Sequence, residues 1–313
     1  MLKALEIQAL RADLGAIDLL LQGRTEDDDP IGHRQLSQRH ARLTEQLATV
    51  EASVQHKAAV ALFFSGGPVV GSRGIEATFA GRAVAIFQDL VSKQFAVEEI
   101  GELGRRGPVS LQTSSDMLVT NVVRGSVGLV LEEADQTDTF TDTQLKLVVD
   151  HVVDAITAAA SVAGDDFDRA LERMDPRFLS SLGEFFEVMH EKQALLRLVE
   201  DEREIELNAE AIRRGRERAG AATIHDSEDA EIIGRIFVLP AARRFELSVV
   251  EGEPPLTGAI SREFAKSDLE VFLASEKGLG GRWKVRIRTR TVSRPTRPAK
   301  VTHTLTGMVG RVD

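Results

Sequence analysis

Ala59-Val60-Ala61-Leu62-Phe63-Phe64, followed at once by Ser65-Gly66-Gly67-Pro68, puts six apolar residues in a row against a cluster of turn formers. A run this short and this apolar is the pattern of a buried strand feeding a loop. Downstream, Ile75, Phe79, Ala83, Ile86, Phe87, Leu90 and Val91 fall on one helical face, so a helix is expected to cover the sheet to which the strand belongs. After a Gly/Pro connection from Gly101 to Pro108, two β-prone runs, 117–123 and 127–131, flank Arg124-Gly125-Ser126 and predict a hairpin. Residues 58–135 therefore read as a small α/β unit.

Residues 142–220 read as helical. Leu145, Val148, Val149, Val152 and Ile156 form one stripe, and Phe178, Leu182, Phe185, Phe186 and Met189 form another after Asp175-Pro176. The last stretch, Glu200 to Arg218, has acids early and arginines late, which complements a helix dipole. Upstream of the strand, Ile7, Leu10, Leu14, Ile17 and Leu21 recur at alternating three- and four-residue steps. After Gly23 and the acidic turn Asp27-Asp28-Asp29-Pro30, His33, Leu36, His40, Leu43, Leu47, Val50 and Val54 repeat the pattern. Two such seams predict a coiled-coil helical hairpin over residues 1–57, with Leu36, Leu43, Leu47, Val50 and Val54 as the self-association surface.

From residue 228 the texture becomes β-rich. Strands are expected at 232–239, 245–250 and 257–260, a short helix at 267–275, and a closing pair at 283–292 and 301–309, packed as a small barrel or curved sheet. The expected architecture is multidomain α+β: the hairpin (1–57), an α/β and helical body (58–220) and a basic β domain (228–313). The formal charge of −10 is divided unevenly: residues 230–313 carry about +6 and the rest about −16. Such a split favours an anionic partner for the C-terminal part, or contact between the two parts by long-range attraction.

Within that part, Arg282-Trp283-Lys284-Val285-Arg286-Ile287-Arg288-Thr289-Arg290 alternates strictly, which sets Trp283, Val285 and Ile287 on one strand face and five cations on the other. With Arg294, Arg297 and Lys300 these form a candidate nucleic-acid or anion surface. The competing reading is a solvated face neutralised by acids on a neighbouring strand, for which Glu246 is the candidate.

Other patterns carry less. Ser65–Gly74 lacks the Gly-Lys-Ser/Thr of a phosphate loop and reads as a connection in which glycines allow positive φ. Asp150 and Asp154 lie one turn apart beside His151, a spacing open to hydrolysis but equally to a solvated helix face. No His-Glu-x-x-His pattern occurs, and without cysteine the chain has no disulfide, thiolate metal site or cysteine nucleophile. No catalytic residue, metal site or cofactor is assigned. The opening residues lack the apolar core of a signal peptide and no run reaches the roughly 18 uncharged apolar residues of a membrane span, so a soluble cytoplasmic protein without a membrane partner is expected. The functional expectation is a non-enzymatic oligomeric scaffold or sensor subunit in a bacterial multiprotein system, binding itself and other proteins. Nucleic-acid binding by the basic strand is the alternative.

Overall fold

The computed structural model describes residues 2–101, 103–104, 107–123, 127–134, 140–239, 242–250, 252–261, 281–294 and 297–312. Two compact units emerge, Met1–Gly220 and Ala221–Asp313. The first runs α1 (Lys3–Gln22), α2 (Pro30–Ala52), β1 (Ala59–Gly66), β2 (Val69–Val70), β3 (Gly74–Ile75), α3 (Ala77–Ile100), β4 (Met117–Val123), β5 (Val127–Glu133), α4 (Gln144–Ala160), α5 (Asp165–Leu171), α6 (Pro176–Glu191), β6 (Ala194–Glu200), β7 (Arg203–Leu207) and α7 (Ala209–Ala221).

Five strands form one sheet in the order β4-β5-β1-β6-β7, all neighbours antiparallel. β1 is central, which is why its apolar run is unbroken: both faces are covered. Ala59, Ala61 and Phe63 pack with Leu2, Val130 and Val199 on one side, where the start of α1 leans on the sheet. The alternate residues face the helical layer, where Phe64 meets Phe79 of α3 edge to face at 5.3 Å. α3, α4 and α6 build that layer, and Phe87, Leu90, Ile156, Leu182, Phe185 and Phe186 are wholly buried in it.

Residues 194–200 and 203–207 correct the helical reading of 142–220, because they form β6 and β7. The competing signal was period two: Ala194, Leu196 and Leu198 are buried while Leu195 and Arg197 are half-exposed, and β6 pairs with β1 along seven residues. Tertiary pairing overrides the helix propensity of a leucine-rich segment.

Helix ends follow their caps. Asp29 accepts from Gly32 N–H at 2.9 Å ahead of Pro30, and Asp175 accepts from Arg177 N–H at 2.7 Å ahead of Pro176. The C-terminus of α4 is closed from outside. Arg218 of α7 donates to the carbonyls of Ala159 (3.1 Å), Ser161 (2.7 Å) and Val162 (3.1 Å), and Arg214 donates to Ala160 at 3.1 Å. A guanidinium here satisfies orphan carbonyls and opposes the negative end of the helix dipole. Arg218→Ala should cost about 1–3 kcal/mol, read as a lowered urea midpoint with unchanged slope. A loss below about 0.5 kcal/mol would mean water caps α4 equally well.

The second unit contains β8 (Thr223–Asp226), β9 (Ala230–Leu239), β10 (Arg244–Ser248), β11 (Leu256–Ile260), β12 (Arg282–Arg294) and β13 (Arg297–Arg311). Neighbours run β9-β10-β11-β13-β12 and β12 returns to β9, so five strands close a barrel. All these pairings are antiparallel except β11 with β13. β8 lies outside the ring and pairs with the far end of β12. The interior is Ile236, Val238, Phe245, Leu247, Ile260, Val285, Ile287 and Leu305. The helix expected at 267–275 lies outside the described residues.

Candidate functional site

The barrel's alternation decides which side chains reach water. With Val285 and Ile287 fully buried and Trp283 packed at the edge of the core, the intervening cations of β12 point outward. They do not stand as a bare stripe. Lys284 pairs with Glu231 at 2.5 Å and Arg286 reaches the same carboxylate at 3.7 Å. Arg288 pairs with Asp229 at 2.8 Å, and Arg290 with Asp226 at 3.5 Å. Asp229 also accepts from Thr306 at 2.8 Å; burial opposes its ionisation, yet the bonds from Thr306 and Arg288 outweigh it and hold the carboxyl below its usual range. Glu231 is likewise held low, chiefly by its bond from Lys284.

The compensating acids come from β8, β9 and the turn between them. Glu246 stands on β10, which does not adjoin β12, and so is not the neutralising group. Arg294 faces Arg297 across the β12–β13 turn, while Arg297 and Lys300 are exposed.

The barrel brings together a second set that the linear pattern hides. Buried Ile236 and Val238 alternate with exposed Arg235, Phe237 and Leu239, and exposed Ile233 continues the row. In register, Arg282 sits directly opposite Arg235, Phe237 opposite Glu246 and Leu239 opposite Arg244. No ion pair joins Arg235, Arg244 or Arg282 to any described residue. The outer face of β12, β9 and β10 thus presents three arginines around an apolar row, with Glu246 as its described unpaired carboxylate. Sequence reading missed this set because its arginines lie up to 47 positions apart; the signal available was the alternation in Ile233-Gly234-Arg235-Ile236-Phe237-Val238-Leu239.

In the first unit, Asp150 and Asp154 meet a group that the sequence did not connect to them. Arg203, just past the β6–β7 turn, donates to Glu200 at 2.8 Å, Asp154 at 2.7 Å and Asp150 at 3.2 Å. Lys146, one turn before Asp150, pairs with Asp201 and donates to the Gln55 carbonyl at 2.9 Å. Glu200 is only 2% exposed. Burial pushes its carboxyl up to about 7; the hydrogen bond with Asp150 adds to the rise and Arg203 opposes it. Oxygens of Asp150, Glu200 and Asp201 lie within 4.8 Å of one another, a spacing open to a cation. Arg203 and Lys146 already supply positive charge there, so the cluster is internally satisfied. His151 turns away to Glu98 at 2.6 Å, and no nucleophile joins the group among the described contacts.

The hairpin helices run antiparallel, tied by Arg11–Glu51 (2.7 Å), Asp13–Arg39 (3.8 Å) and Asp18–His40 (3.2 Å). Lys3 fixes its root, donating to the carbonyls of Glu51 and Ser53. Among the seam residues, Ile17 is buried, Leu36, Leu43, Leu47 and Val50 are half-buried and Val54 is exposed. Ser65–Gly74 contains the β2–β3 hairpin, with Gly66 (φ 83°) making the turn out of β1. No family model, curated protein or solved structure matches this chain. Among the described residues, no helix is long and apolar enough to cross a membrane.

Proposed function

We propose that this chain is a non-enzymatic assembly protein, a scaffold or sensor subunit, and that the α1–α2 hairpin is its self-association element. The half-buried seam carries this reading. α2 is 23 residues long and buries none of them, although Leu36, His40, Leu43, Leu47 and Val50 follow a continuous three/four spacing. Two helices alone leave such a row open along both flanks, whereas a second hairpin would enclose it in a four-helix arrangement. Leu19, Leu20 and Ile31 are also exposed near the hairpin's tip, where a second copy can cover them.

The acid-paired Lys284–Arg290 segment offers little surplus charge, which turns weight from strand-based nucleic-acid binding towards assembly. The test is mass in solution by sedimentation equilibrium. The parent chain should be larger than a monomer, and Leu43→Glu with Leu47→Glu should release monomers, because enclosing two carboxylates costs several kcal/mol. A folded double variant that keeps the parent's mass would remove the hairpin from the interface, and a monomeric parent would remove the proposal.

A further inference from the structure

The barrel face built by β9, β10 and the start of β12 has a feature that assembly through the hairpin does not use. Arg235 and Arg282 are exact cross-strand partners in the antiparallel ladder, both outward and both exposed. Side chains so placed have Cβ atoms about 4.5–5.5 Å apart, and like charges there repel. From Lys284 to Arg290 the fold answers each cation of β12 with an acid; here it places a second guanidinium. Two planar forks side by side make a receptor for an oxyanion, which both can hydrogen-bond.

Beside them Phe237 is 44% exposed, with Arg235 and Leu239 as its outward neighbours along β9 and Ile233 beyond Arg235. Outward side chains recur at every second residue, about 6.6–7 Å apart, so the Phe237 ring and the Arg235 guanidinium lie one step apart on the strand. An acidic peptide would use the guanidiniums and leave Phe237 idle. A nucleic acid strand uses both, because phosphates meet the arginines while an unstacked base covers the ring. A duplex keeps its bases stacked and offers none.

We infer that this face binds single-stranded nucleic acid without reading its sequence, with a phosphate between Arg235 and Arg282, a base on Phe237 and Arg244 extending the backbone contact. Glu246, opposite Phe237 and next but one to Arg244, limits the affinity by repelling the strand.

The experiment is fluorescence anisotropy of the full chain with a labelled 15-nucleotide oligothymidylate at low salt, with a duplex of equal length and polyglutamate as competitors. The single strand should bind with a log–log salt slope near −1.4, two neutralised phosphates at about 0.7 each. Phe237→Ala should weaken binding roughly 5- to 100-fold, and Phe237→Trp should hold or tighten it. Arg235→Gln with Arg282→Gln should flatten the slope by about 0.7, and Glu246→Gln should tighten binding. All these side chains are on the surface, so unchanged melting of each variant is expected and checked first.

Three results would each overturn the inference. One is no salt-sensitive binding of the oligothymidylate. Another is loss of binding in Arg286→Ser with Arg288→Ser while the face variants bind as the parent does. The third is displacement by polyglutamate with Phe237→Ala indistinguishable from the parent, which would make the face an acidic-protein contact.

Discussion

Arg203→Met is expected to destabilise the first unit by about 3 kcal/mol at pH 8 and by clearly less at pH 5. The variant keeps the apolar stem but removes the cation shared by Glu200, Asp150 and Asp154. Leaving a buried charge unpaired typically costs 3–5 kcal/mol, and the lower end applies because Arg203 is itself 42% exposed and partly solvated.

The pH dependence follows from Glu200. Unfolded, its carboxyl loses the proton near its ordinary 4.5; folded, it holds the proton up to about 7. Between those values the folded chain binds the extra proton, so stability falls as pH rises, by about 1.4 kcal/mol per unit at most and roughly 3 kcal/mol in all. At pH 5 Glu200 is neutral and has little need of the guanidinium; at pH 8 it is ionised against Asp150 and needs it fully. Urea unfolding of parent, Arg203→Met and Glu200→Gln from pH 5 to 8 measures this. Glu200→Gln should lose most of the decline between pH 5 and 7. An equal penalty for Arg203→Met at both ends, or a parent curve flat across that window, would show that Glu200 titrates normally.

Gly258→Ala should open the barrel. A Cβ at this position would stand 2.0 Å from the His303 carbonyl oxygen and 2.8 Å from the ring of Phe245. The first obstacle is backbone, so no rotamer change relieves it. Gly258 pairs with His303 in the parallel β11–β13 ladder, the junction between β11 and β13 that completes the ring. Accommodating one methyl therefore means parting the strands or bending Phe245, itself 1% exposed, out of the core. Overpacking of this kind costs about 3 kcal/mol. Amide exchange should rise along 256–260 and 303–305, and the variant should melt well below the parent. Protection equal to the parent's in both strands would mean that the ladder yields without opening.

Much of the architecture was legible locally. The apolar stripes that follow Asp29-Pro30 and Asp175-Pro176 marked separate helices, and α2 and α6 do begin at those prolines behind a carboxylate cap, an arrangement internal to one helix. The run Ala59–Phe64 announced a buried strand, and the alternation from Trp283 to Ile287 assigned inner and outer faces, because strand period is a property of the backbone. β6 was missed because Leu195, Leu196, Leu198 and Val199 suit either period, and pairing to β1 settled the matter. The candidate sites were less legible still. The sequence located the cations of β12 but not Glu231, Asp229 and Asp226, which neutralise four of them, and it proposed Glu246, which sits two strands away.

Local pattern alone was enough for the helical stripes of α3, α4 and α6, the buried strand β1, the alternating faces of β12 and the unequal charge of the two regions, since each depends on neighbours within about a turn or a strand. Folding was needed to set Arg235 against Arg282, to bring Asp150 to Glu200 and Arg203, and to lay Gly258 against the His303 carbonyl. Those juxtapositions join residues 45 to 53 positions apart, and charge interactions act through space at a few ångströms without regard to separation along the chain. Register between strands sets such distances, and register is fixed by the whole buried face at once.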